Sequence, residues 1–223
     1  PGIPFGQFAI RSGGIVAATD EFIIEIEGNG GHAAMPHKAV DPLIIGAQMI
    51  VGLQTLVSRN VNPVDSAVLS VTVMNVGEAT NVIAQSARIK GTVRTLAEPV
   101  RDLMERRLGE FVPQFALAYG GTATMKYRRG YPVTANHPEQ TRFAADVAAG
   151  IAGEENVDRN TDPSLGGEDF AYMLNARPGA YIMVGQGDGP GLHQDTYDFN
   201  DELIPVGCTY WVKLVETALP AEK

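Results

Sequence analysis

The sequence predicts a mixed α/β chain in two units: an α+β sandwich with element order βαββαβ over residues 19–131, and part of an α/β unit over residues 132–223. Three observations carry this expectation. Up to residue 131 the hydrophobic period switches between 2 and 3.6 in the order strand, helix, strand, strand, helix, strand. The charge balance then breaks: residues 1–130 hold 12 basic and 11 acidic side chains, a net of +1, whereas residues 131–223 hold 5 and 15, a net of −10, together the −9 of the whole chain. Beyond the break a single clear strand stands among three helices, too little sheet for a complete α/β domain.

The first strand is Phe22–Glu27, with Phe22, Ile24 and Ile26 on one face. Asp41-Pro42 supplies an N-cap and a first-turn proline, and Leu43, Ile44, Ala47, Ile50, Val51 and Val57 read as the apolar stripe of the helix that follows. Two strands come next. Ala67–Val76 places Leu69, Val71 and Val73 on one face, and Ala87–Thr95 turns Ile89 and Val93 inward and Arg88, Lys90, Thr92 and Arg94 outward. A second helix begins near Pro99 with the stripe Val100, Leu103, Met104, Leu108, Phe111 and Phe115, and Pro113 is expected to kink it. The strand Thr122–Tyr131 closes a ferredoxin-like, split-βαβ sandwich.

In the second unit a helix runs from Pro138 to about Gly150 and a short one starts near Gly167. Ala180–Val184 reads as a buried strand. A last helix from about Leu203 to Leu219 presents Val206, Tyr210, Leu214 and Ala218 inward with Val215 beside them, and Cys208 in that helix reads as core.

Composition narrows the function. A single cysteine among 223 residues excludes a disulfide framework or a Cys-rich zinc site within the chain. The acidic balance argues against a nucleic-acid binder, which needs a basic face. The longest apolar stretch, Pro42–Val57, is broken by Gly46, Gln48, Gly52, Gln54 and Thr55 and so is not expected to span a membrane. The chain opens at Pro1 without a basic-then-apolar leader, and with its unpaired cysteine this gives a cytoplasmic expectation.

Three loops hold the candidate chemistry. Gly28-Asn29-Gly30-Gly31-His32-Ala33-Ala34-Met35-Pro36-His37 leaves the His32 imidazole uncrowded, although on spacing alone it reads as a flexible connector with two surface histidines. His32 and His37 are not spaced as a helical metal pair. In Gly77–Ile83, Asn81 offers both donor and acceptor, and Arg94 on the next strand could grip a carboxylate in a bidentate fork. Each has a plainer reading, a turn former and a solvated sheet arginine. The segment Gly191–Asp201 sets His193 among aspartates, either a metal ligand oriented by a carboxylate or a surface histidine of an acidic loop. Gly166-Gly167-Glu168-Asp169 reads as a helix start with acids matched to the dipole. Gly185–Gly189 lacks the Lys-Ser/Thr of a phosphate loop.

Taken together, the segments GNGGHAAMPHKAVDP, VGEATNVIA, GTVRT, GGEDFAYML and GLHQDTYDFND, in this order, resemble the metal-dependent amidohydrolases of the aminoacylase, carboxypeptidase and hippurate hydrolase group. The resemblance covers essentially the whole chain. It implies a ferredoxin-like lid that also dimerises, inserted into an α/β catalytic domain with two divalent metal ions (Zn, Mn, Co or Ni). By resemblance His193 is a metal ligand and His32 is the lid histidine that reaches the partner subunit's active site to steady the oxyanion. Asn81 and Arg94 then contact substrate, Arg94 through a carboxylate, and the backbone of Gly166 and Gly167 forms a substrate-contacting turn. The implied reaction is hydrolysis of the amide bond of N-acyl amino acids, hippurate-like substrates included, by a metal-activated water.

In that group most metal ligands and the glutamate base lie upstream of the lid. Here His193-Gln194-Asp195 is the only HxD in the sequence, and no paired-glutamate segment follows it. The expectation is therefore a C-terminal portion or split subunit, inactive by itself. Residues 1–18 would end the N-terminal catalytic segment, 19–131 would form the lid and dimerisation domain, and 132–223 would form the C-terminal catalytic part. The alternative from another class is a non-catalytic dimerisation or small-ligand-binding module, since the fold does not dictate function.

Overall fold

The chain is described by a computed structural model covering residues 1–220. It is a mixed α/β structure divided into two compact units, one of Val16–Val133 with Leu165–Glu168, the other of Pro1–Ile15, Thr134–Ser164 and Asp169 onward. In chain order the elements are β1 (Phe8–Ala9), β2 (Gly13–Val16), β3 (Ala18–Glu27), β4 (Gly31–His32), α1 (Pro42–Asn60), β5 (Ala67–Val76), β6 (Val82–Ile83), β7 (Ser86–Thr95), α2 (Glu98–Ala118) and β8 (Thr122–Arg129). They continue with β9 (Thr134–Asn136), α3 (Pro138–Ala152), β10 (Val157–Asp158), α4 (Phe170–Ala176), β11 (Met183–Val184) and α5 (Leu203–Ala218).

The unit of residues 16–133 is built on one four-stranded antiparallel sheet in the order β5-β7-β3-β8. Its core joins Phe22, Ile24 and Ile26 of β3 to Ile45, Met49, Leu53 and Leu56 of α1 and to Met104, Leu108, Val112 and Ala116 of α2. The period-2 alternation of β3 does this directly, sending every second residue under the two helices. Asp41 caps α1 by accepting from the Leu43 N–H at 2.9 Å, with Pro42 in the first turn.

Three inward faces differ from the sequence expectation. On α1 the buried stripe is Ile45, Met49, Leu53 and Leu56; of the predicted residues Ile50 and Val57 pack against the core, while Leu43, Ile44 and Val51 are exposed, Val51 by 67%. From Pro42 to Ser58 the helix has no charged residue, so two apolar stripes compete and periodicity alone cannot choose between them. On β5 a bulge between Val71 and Val73 leaves Thr72 without a partner in β7. The extra residue reverses the alternation: Leu69 is buried, Val73 faces out, and Met74 and Val76 pack on the core. In α2 the seam runs through Val112 and Ala116, with Phe111 and Phe115 half-buried beside it, and the helix continues through an exposed Pro113.

The other unit is held by a cluster of Phe8, Ile10, Ala144, Ala145, Val147, Ala148, Val157 and Tyr210, with the Phe8 and Tyr210 rings 5.4 Å apart. Its sheet is small, β10-β1-β11, each strand two residues long. The predicted buried strand Ala180–Val184 is only β11, and it is half-buried, because among the described residues β11 has a neighbour on one side only. On α5, Leu203 and Tyr210 are buried with Val206 and Leu214 packed against them, but Val215, Ala218 and Cys208 are exposed. The inward line 203–206–210–214 advances by three or four residues and leaves position 208 on the outer face.

Candidate functional site

His32 does not sit on a flexible connector. It lies in β4, opposite Val82 of β6, and the adjoining Ala33 N–H donates to the Asn81 carbonyl at 3.0 Å. The structure thus brings together His32 and Asn81, predicted from separate loops. They line an open cavity of about 510 Å³ with Gly30, Gly31, Val82, Ile83, Ala84 and Gln85. The His32 Nδ1 accepts from the Ala34 N–H at 3.1 Å. An imidazole whose Nδ1 lone pair is engaged carries its proton on Nε2, so His32 offers the cavity an N–H donor.

Arg94 stands elsewhere on the same unit. In β7 it is opposite Thr19 of β3 on one side and Val68 of β5 on the other. Gly167 comes against the same Thr19: a Cβ there would meet the Thr19 Cγ2 at 2.5 Å and the Tyr131 ring at 3.2 Å, so the close approach needs glycine. Arg94, Thr19 and the Gly166-Gly167 segment therefore gather at the Ala18 end of β3. Between the pairs Thr19–Arg94 and Glu27–Ser86 run eight residues of ladder, about 27 Å at strand spacing, and the His32–Asn81 pair lies beyond the far end. Within one chain the predicted residues of this unit therefore form two separate groups, not one.

His193 is in the other unit. Gly191–Gln194 is a turn, closed by the Gln194 N–H donating to the Gly191 carbonyl at 3.3 Å, and the Gln194 side chain accepts from the Gly191 N–H at 2.9 Å. His193 occupies its third position at φ 65°, the single positive φ on a non-glycine residue among those described, a conformation that histidine tolerates better than most. Among the described residues no group of three or more His, Cys, Asp or Glu side chains lies close enough to hold a metal ion. The described residues do not by themselves form a metal centre, and His193 stands outside any such group.

A buried ion cluster underlies the Thr19 end. Asp20 and Arg101, 1% and 4% exposed, pair at 2.6 and 2.9 Å. Asp20 also accepts from the Tyr127 hydroxyl at 2.8 Å and the Gly130 N–H at 3.1 Å, and Arg101 donates on to Glu98 and to the Gly130 and Tyr131 carbonyls. Burial and the Asp20 hydrogen bond hold the Tyr127 phenol far above its ordinary range. The Asp20 hydrogen bond, above all, raises the Arg101 guanidinium against the opposing effect of burial. Sequence reasoning passed over this cluster, although an acid in phase with Phe22, Ile24 and Ile26 on an inward strand face was a visible anomaly. It also passed over Gln85, for which spacing offers no signal.

A family model for peptidase family M20/M25/M40 matches residues 1–217. The chain belongs to this family. It is 36% identical over 215 residues to a hippurate hydrolase of Campylobacter jejuni, covering 95% of this chain and 56% of that protein. Against an N-acetyl-L-cysteine deacetylase of Bacillus subtilis it is 39% identical over 204 residues, with 92% and 48% covered. Among solved structures, the Bacillus subtilis YXEP protein, described as a dinuclear metal-binding peptidase of the M20 family, aligns with a TM-score of 0.82 and 26% identity over 98% of this chain and 55% of that one. The chain thus spans about half the length of the curated relatives it matches.

Proposed function

We propose that this chain is the ferredoxin-like lid and C-terminal catalytic portion of a homodimeric hydrolase that cleaves the amide bond of N-acyl amino acids. Family membership and the names of its relatives support the reaction class. The observation that carries the reading is the separation of His32 and Asn81 from Arg94 and Gly166-Gly167 at opposite ends of one sheet. Two such half-sites make one whole site when a second protomer brings the His32 end of its lid to the Arg94 end of the first. The His32 Nε2–H then donates to the substrate carbonyl oxygen, where negative charge develops as the amide is attacked. Asn81 contacts the acyl amide beside it, the Arg94 guanidinium takes the free carboxylate in a bidentate fork, and the Gly166-Gly167 backbone lets substrate approach closely.

The cofactors of the complete enzyme are two divalent metal ions, of which Zn, Mn, Co and Ni all suit an imidazole ligand. These 223 residues supply one recognisable ligand, His193, and the others come from polypeptide outside them. The 223-residue chain alone is therefore expected to show negligible turnover of hippurate with any of these metals, while the complete enzyme hydrolyses hippurate and leaves the corresponding amide lacking a free carboxylate nearly untouched. Robust metal-dependent hydrolysis by the pure chain overturns the division of the site, and equal rates on the two substrates overturn the role of Arg94.

Dimerisation has a surface to use. β5 is an edge strand, and α1 beside it turns out Leu43, Ile44, Ala47, Gln48 and Val51 without a charge among them. An uncharged helix face next to an unpaired strand edge suits self-association about a two-fold axis. Val51→Lys is expected to convert the dimer to a folded monomer in sedimentation velocity, since Val51 is outside the core. A dimer that survives the substitution moves the interface elsewhere.

A further inference from the structure

We propose that Gln85 is the positioning residue that fixes the His32 strand, acting as a side-chain substitute for a missing piece of ladder; this rests on the reading of His32 given above. The antiparallel pairing of β3 with β7 runs to Glu27 opposite Ser86, and Gly28 follows by donating its N–H to the Gln85 carbonyl at 2.9 Å. Pairing resumes at Gly31 opposite Ile83 and His32 opposite Val82. Between these points one strand has two residues, Asn29 and Gly30, against the single Ala84 of the other, which makes a bulge of one residue. Asn29 turns away and exchanges both backbone hydrogen bonds with Val40, at 2.8 and 2.9 Å.

That diversion would leave the Gly28 carbonyl and the Gly30 N–H without ladder partners. The Gln85 carboxamide fills the gap: its Nε2 donates to the Gly28 carbonyl at 2.9 Å, and its Oε1 accepts from the Gly30 N–H at 3.0 Å. A primary amide offers a donor and an acceptor with the spacing of a peptide group, so it bridges the bulge as a peptide unit would. Gly30 leaves no slack, since a Cβ on it would lie 2.9 Å from the Ile83 carbonyl oxygen. His32 is two residues beyond this clamp, and an error of about 1 Å in its Nε2–H is enough to weaken an oxyanion contact severely.

The test combines amide exchange on this chain with kinetics on the complete enzyme. In Gln85→Ala the Gly30 N–H loses its acceptor and is expected to exchange about fivefold faster, while the Gly28 N–H, bonded to the Gln85 backbone carbonyl, keeps its rate. A general loosening of the fold would move both. In the complete enzyme Gln85→Ala is expected to lower kcat about tenfold with KM unchanged, and to lower it no further in a His32→Ala background. Unchanged Gly30 exchange, full kcat, or a loss that simply adds to that of His32→Ala each overturns the proposal. A His32→Ala enzyme of full activity overturns the role of His32 itself, and the exchange readout still decides whether Gln85 holds the strand. Should Gln85→Ala not fold, Gln85→Met, of similar volume and without the amide, carries the same expectations.

Discussion

Replacing His32 by Ala is expected to lower kcat of the complete enzyme by about 10²- to 10³-fold, the usual loss when a preorganised oxyanion donor is removed. Arg94→Ala is expected to act differently, lowering kcat/KM by about 10²-fold mainly through KM, because a bidentate carboxylate contact of the kind proposed for it would be made before and during reaction. The decisive result comes from mixing the two inactive proteins under conditions that exchange subunits. If His32 serves the partner's site and Arg94 its own, each mixed dimer has one site with both groups intact. Half of the dimers are mixed and half of their sites are restored, so about a quarter of the wild-type activity returns from two nearly dead variants. If His32 and Arg94 serve the same protomer's site, no combination restores either, and the mixture stays at the level of its parts. The eight residues of ladder between the two half-sites make the first outcome the expected one.

The sequence was legible where one face of an element differs sharply from the other. β5 falls on the predicted residues because turns bound it on both sides, and β3 buries the predicted Phe22, Ile24 and Ile26 because its alternation is unbroken. Legibility failed where chemistry was uniform. α1 has no charge from Pro42 to Ser58, so its predicted stripe falls partly on the core side, at Ile50 and Val57, and partly on the surface, at Leu43, Ile44, Ala47 and Val51. It failed too where a local irregularity changed the phase, as at Thr72, since a bulge has no signature beyond the shift it causes. That His32 lies beside Asn81, and Arg94 with Gly167 at the other end of the sheet, follows only from sheet register. The pairing of Asp20 with Arg101 spans 81 positions and links a strand to a helix, a distance no periodic pattern reaches.

Removing one partner of that pair is expected to be the most destabilising single change in this unit. Asp20→Ala leaves the Arg101 guanidinium buried without its main counter-charge, at a cost of about 3–5 kcal/mol. The Tyr127 hydroxyl and the Gly130 N–H lose an acceptor in the same step. Arg101→Met should cost somewhat less, since Tyr127 and Gly130 still donate to the stranded carboxylate. The double variant Asp20→Ala/Arg101→Met removes both charges and leaves an apolar side chain in place of the guanidinium. Its cost is expected to fall well below the sum of the single changes, because much of each single penalty is the uncompensated charge left behind. Urea denaturation of the four proteins, read as a double-mutant cycle, measures this; additive losses would show that the pair is not coupled. The cluster also predicts where damage spreads. Arg101 holds the Gly130 and Tyr131 carbonyls, and Tyr131 exchanges hydrogen bonds with Thr19, the residue that faces both Arg94 and Gly167. A destabilised Asp20 variant should therefore lose carboxylate selectivity at temperatures where it is still folded, while the His32 half-site, at the far end of the sheet, keeps its geometry.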